Sequence, residues 1–108
     1  MPDFVTLCNE DDLAIGTPKS FVVDQIPIAV FRMDNGIFAL DDRCPHAGAS
    51  LARGYLEDDV IRCRIHHWGF DIRSGQNVEQ RNACRDARLV EVRILDRQVQ
   101  VRLPQGMT

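Results

Sequence analysis

The 108-residue sequence contains no apolar run long enough to cross a bilayer, and its start, Met1-Pro2-Asp3-Phe4-Val5-Thr6-Leu7-Cys8, has no basic region ahead of an apolar one. A strong excess of charge of one sign is missing too. Thirteen Lys+Arg against sixteen Asp+Glu leave a net charge of −3, which gives no footprint for nucleic acid or an anionic membrane. There is no glycine-rich dinucleotide fingerprint, no internal repeat, no linker and no convincing helical periodicity. The four cysteines lack the spacing of a disulfide framework. Together these absences predict one cytoplasmic domain over residues 1–108 with neither a nucleic acid nor a membrane partner.

What the sequence does hold is a pair of ligand-rich stretches. Cys44-Pro45-His46-Ala47-Gly48 is answered by Cys63-Arg64-Ile65-His66-His67-Trp68-Gly69-Phe70, so each half offers one cysteine and one histidine. Two thiolates and two imidazoles from separate loops make a soft, four-ligand metal site. A structural zinc site would also use Cys2His2, but it ordinarily pairs like ligands, cysteine with cysteine and histidine with histidine. A Cys-x-His loop facing a Cys-x2-His loop instead suits a binuclear centre, each loop clamping both metals.

That pattern resembles the Rieske [2Fe–2S] family, in which two histidines replace two cysteines on one of the irons. The resemblance extends to Ala47-Gly48 after the first histidine and to Trp68-Gly69-Phe70-Asp71 after the second loop. It implies one [2Fe–2S] cluster, with Cys44 and Cys63 on the inner iron and His46 and His66 on the outer one. In the respiratory branch of the family an additional cysteine in each loop forms a disulfide, but the matching positions here are Ala49 and Ile65. The serine and tyrosine hydroxyls which that branch offers to the cluster sulfurs are replaced by Trp68 and Phe70. Hydrogen bonds to cluster sulfur favour the more negative reduced state, so their loss implies the low-potential ferredoxin and oxygenase branch. His67 departs from the family's usual glycine at a tight turn.

Around the loops the chain reads as short strands. Phe4 to Leu7 and Phe21 to Val23 are β-rich, with Gly16-Thr17-Pro18-Lys19 as a turn between them. Ile28 to Arg32 and Ile37 to Leu40 flank Asn35-Gly36, a strong hairpin signal. Glu57-Asp58-Asp59 predicts a turn that delivers Cys63 at a strand end, and Ser74-Gly75 predicts another. Gln76 to Arg88 reads as an irregular surface connection, and then Val90, Val92 and Ile94, followed by Val99, Val101 and Leu103, alternate about a turn at Asp96-Arg97. The predicted fold class is all-β: stacked antiparallel sheets with the two cluster-binding hairpin loops at one end.

Other residues admit two readings. Pro45, His67 and Trp68 are candidates for a docking rim, with shielding of the cluster as the rival account of His67 and Trp68. Arg43, Arg53 and Arg64 are either a mixed-charge docking surface or ordinary surface arginines. Cys8 and Cys84 read as buried thiols. The resemblance implies a one-electron carrier and not an enzyme: with two histidines committed to the cluster, only His67 remains for a further iron site. It further implies a monomer that transiently meets a flavin-containing NAD(P)H-dependent reductase and a terminal Rieske non-haem iron oxygenase. The alternative is a small Rieske-like subunit of an assimilatory nitrite reductase.

Overall fold

The computed structural model of the chain describes residues 3–45, 48–65, 68–79 and 86–104. Among them lie nine strands: β1 (Val5–Asn9), β2 (Lys19–Val23), β3 (Ile26–Met33), β4 (Gly36–Asp41), β5 (Tyr55–Glu57), β6 (Val60–Arg62), β7 (Gly69–Asp71), β8 (Leu89–Leu95) and β9 (Gln98–Arg102). One six-stranded sheet runs in the order β1-β9-β8-β4-β3-β2, and a three-stranded sheet in the order β5-β6-β7. Every strand pair is antiparallel. The helices described are single 3₁₀ turns, Glu10–Asp12 and Leu51–Arg53, and none is long and apolar enough to cross a membrane.

Period-two alternation in β3 divides the interior into two cores. Ile28 and Val30 enter the first, with Val90, Val99 and Val101, while Ala29 and Phe31 enter the second, with Leu40, Ile61 and Phe70. Both faces of the strand are therefore buried, which explains its unbroken apolar run from Ile26 to Phe31. Cys44 and Cys63 belong to the second core.

Three hairpin turns use left-handed residues other than glycine: Asp58 alone in the β5–β6 turn, at φ 54°, and a consecutive pair in each of two others. Asp24 and Gln25 have φ of 49° and 67°, and Asp96 and Arg97 have 51° and 66°, which matches the right-handed twist of the flanking strands. The β3–β4 hairpin differs slightly from its sequence reading: Asp34 and Asn35 make the turn, and Gly36 already pairs with Met33 at a φ of 145°.

Two further expectations need correction. In β8, Val90 is buried but Ile94 is 44% exposed, because β8 meets β4 only through Leu89 and Val90 and beyond that point pairs with β9 alone. The stretch after Gly75 is not simply a surface connection: Asn77 is fully buried and bridges Phe70, its N–H bonded to Asp86. Gly75, at φ +81°, accepts from the Ala87 N–H, and a Cβ there would stand 2.2 Å from the Ala87 carbonyl oxygen. Asn82, Ala83 and Cys84 lie outside the described residues.

Candidate metal centre

The two ligand stretches form loops of the same size. Residues 44–49 lie above an antiparallel bridge between Arg43 and Ser50, and residues 63–68 lie above the antiparallel pair Arg62 and Gly69. Each loop has cysteine in first place and is closed by the same bond. The Cys44 N–H donates to the Ala49 carbonyl at 2.8 Å, and the Cys63 N–H donates to the Trp68 carbonyl at 2.9 Å. In the first loop the Gly48 N–H also returns to the Cys44 carbonyl at 2.7 Å, and Gly48 takes a φ of 72° that few side chains tolerate. Repetition of one closure on two β pairs puts both thiols at the same place relative to their sheets.

The first loop is anchored by Asp42, a carboxylate only 3% exposed. Its Oδ2 accepts from the Ser20 hydroxyl at 2.9 Å and the Ser50 hydroxyl at 2.6 Å, and its Oδ1 accepts from the Ala52 N–H at 2.7 Å. Its backbone continues the tie, donating to the Pro27 carbonyl and accepting from the Leu51 N–H. These donors offset the loss of water around a buried charge and fasten both ends of the loop to β2 and β3. One residue earlier, Asp41 grips Arg43 through Nε at 2.9 Å and Nη2 at 2.6 Å. The Arg43 guanidinium is raised by that hydrogen bond first and by the Asp41 charge second.

The second loop is held by a cation instead. Arg62 donates through Nε to Glu57 and through Nη1 to Glu79 at 2.6 Å, which raises its own pKa through the bond to Glu79 and then the bond to Glu57. Both carboxylates are exposed. At the foot of the loop a Cβ on Gly69 would come within 2.7 Å of Val60 Cγ1 and 2.9 Å of Val78 Cγ2. The two loops abut at Gly54, which ends the 3₁₀ turn after the first loop: a Cβ there would stand 1.9 Å from the carbonyl oxygen of Arg62, the residue before Cys63.

Of the ligand residues read from the sequence, Cys44 and Cys63 are brought into one core, at 2% and 0% exposure. His46, His66 and His67 lie outside the described residues. Accordingly no group of three metal-ligating side chains gathers among the described residues. Pro45 is exposed beside Cys44. Trp68 is half-buried and packs against the second core, so it serves as a wall to the site as well as a rim. Cys8 sits apart on β1 and is half-buried, its thiol pushed up by burial and then by Asp12, with Lys19 opposing. Sequence reasoning missed Asp42 and Gly54. The spacing between Ser20 and Asp42 carried no signal, but the small residue four places after Ser50 could have suggested close packing.

The surroundings suit a thiolate-held cluster. Cys44 and Cys63 form no disulfide and are seated in a core that includes Leu40, Leu51, Ile61 and Phe70. Two soft donors emerging from equivalent loops into an apolar, water-poor site are what a sulfide-bridged iron pair requires.

Comparisons with known proteins agree. The Rieske [2Fe–2S] domain profile matches residues 3–100. The anthranilate 1,2-dioxygenase ferredoxin subunit of Burkholderia cepacia is 37% identical over 91 residues, covering 84% of this chain and 83% of the relative. A chain in the solved complex of reduced oxygenase and oxidized ferredoxin in carbazole 1,9a-dioxygenase superposes with a TM-score of 0.80 at 30% identity, covering 92% of each chain. A protein described as the small subunit of an NADPH nitrite reductase superposes with a TM-score of 0.82 at 25% identity, covering 92% of this chain and 97% of that one. The profile match, spanning nearly the whole sequence and both cysteine-headed loops, makes the chain a member of the Rieske [2Fe–2S] family, with one cluster of that type as its cofactor.

Proposed function

We propose that the protein is a soluble, cytoplasmic one-electron carrier that takes electrons from a flavin-containing NAD(P)H-dependent reductase and delivers them to a terminal Rieske non-haem iron oxygenase. One observation carries this reading: two loops of equal length, closed by the same backbone bond, present both cysteine sulfurs to a single apolar core. Cys44 and Cys63 would hold the inner iron, and His46 and His66 the outer iron. When bound, the cluster supplies a site that accepts and returns one electron. The chain's own residues do the rest. Leu40, Leu51 and Phe70 keep water from the sulfurs, the two closing N–H bonds fix where the cysteines stand, and the exposed Pro45 borders the face a partner would approach. Ferredoxin components of oxygenase systems among the relatives support the direction of transfer.

A monomer that meets its partners transiently fits this role, because a shuttle must release what it docks on. The nitrite reductase reading is favoured only by the superposition at 25% identity, below the 37% shared with a dioxygenase ferredoxin. The test is reconstitution. Purified protein should be brown, with about two irons and two acid-labile sulfides per chain. Reduced in a stopped-flow instrument, it should reoxidise on mixing with the oxygenase encoded beside its gene. Colourless protein with stoichiometric zinc would overturn the reading, and copurification with a sirohaem enzyme would replace it by the alternative.

A further inference from the structure

Most arginines of the structure are already engaged. Arg43, Arg62, Arg73, Arg97 and Arg102 hold carboxylates, Arg32 donates to the carbonyls of Glu10 and Leu13, and Arg93 bonds Gln100 while covering the Phe4 ring. The guanidinium groups of Arg53 and Arg64 have no hydrogen bond or ion pair among the described residues. Arg88 shares that state but lies elsewhere. Arg53 and Arg64 instead flank one open cleft of about 600 Å³, walled by Ala49 and Ser50 of the first loop and by Ile65 of the second.

We propose that Arg53 and Arg64 form a two-pronged clamp for carboxylate side chains on the terminal oxygenase, deepening and resting on the carrier reading above. Three features fit an acidic protein surface. The arginines are exposed and stand on separate segments, Arg53 at the end of the 3₁₀ turn after the first loop and Arg64 in the second loop, so they can engage two carboxylates at once. Ile65, 55% exposed, supplies an apolar contact beside them. In a chain that carries −3 overall, two unengaged guanidinium groups on one cleft give an acidic surface a local attraction beside the cluster loops. A small free anion fits poorly. At the cleft floor the Ser20 and Ser50 hydroxyl protons are already given to Asp42, whose negative charge opposes deep entry. The structure thereby separates three arginines that the sequence left equivalent: Arg43 is committed to Asp41, whereas Arg53 and Arg64 are available.

The experiment uses cluster-loaded protein with the reductase and the oxygenase encoded beside its gene. Second-order electron-transfer rates and calorimetric dissociation constants are measured against ionic strength for wild type, Arg53→Glu, Arg64→Glu and Arg97→Glu. The last makes the same charge change in the β8–β9 turn, at the other end of β8 from Leu89. With the oxygenase, wild-type transfer should slow as salt rises, and Arg53→Glu and Arg64→Glu should each slow it about tenfold at low salt. Arg97→Glu should stay within about twofold, since it alters only the long-range field. Cluster spectrum and midpoint potential should remain those of wild type, and Arg53→Gln and Arg64→Gln should give intermediate losses. Equal rates for wild type and both glutamate variants, or wild-type transfer that quickens with salt, would overturn the clamp while leaving the carrier intact. Failure of the wild type to reduce any oxygenase would sink the carrier reading, and the clamp with it.

Discussion

The first loop and the second share a length, a leading cysteine and a closing hydrogen bond, yet they are fastened by opposite means. Asp42 anchors the first from inside, its buried carboxylate taking two hydroxyls and a backbone N–H. Arg62 anchors the second from outside, reaching two exposed glutamates. A buried carboxylate with its donors in place is costly to disturb, because removing it takes charge-assisted hydrogen bonds from two hydroxyls and a backbone N–H at once. Exposed ion pairs contribute little and are screened by salt. Equal geometry therefore does not mean equal sensitivity.

Five substitutions test that contrast. The largest effect should come from the shared feature: Cys44→Ser and Cys63→Ser should each reduce bound iron from about two per chain to nearly none and lower thermal stability, since ligand bonds and folding are linked. Full iron content in either variant would break the equivalence of the loops. Next comes their meeting point. Gly54→Ala puts a Cβ against a backbone oxygen that cannot swing away, and urea denaturation should show a loss of about 3 kcal/mol.

Asp42→Ala should cost about 2 kcal/mol by the same measurement, nearly independent of salt, because what is lost is three short-range hydrogen bonds, from Ser20, Ser50 and the Ala52 N–H, and not a screened ion pair. Arg62→Gln should cost less than about 1 kcal/mol and become indistinguishable from wild type in molar salt. If Arg62→Gln proved the more damaging of these two, the contrast between inner and outer anchoring would be wrong.

Much of this architecture was legible in the sequence, and the gaps have physical causes. The turns at Asp58-Asp59 and Asp96-Arg97 announced themselves because short polar runs interrupted β-rich ones. The turn at Asp24-Gln25, with the same left-handed backbone as Asp96-Arg97, was missed because Pro27 follows it closely and breaks the β-rich run, whereas clean alternation flanks Asp96-Arg97 on both sides. The cysteines were legible because few chemistries need them at such spacing. Asp42 was not: next to Asp41, it reads as one more solvated acid, and only folding brings Ser20 of β2 to it. Buried Asn77 hid for the same reason, as its partners come from β7 and from Asp86.

Gly54 has a consequence for design. Each loop needs beneath it only one antiparallel residue pair, and its closing bond spans only five residues, so each is a portable part. What cannot be carried over loop by loop is their spacing, and that is set where the first loop's exit lies against the backbone before Cys63. Moving the site to another β scaffold would thus require two such pairs, two six-residue loops, and a residue without a side chain at the point where one loop leans on the other.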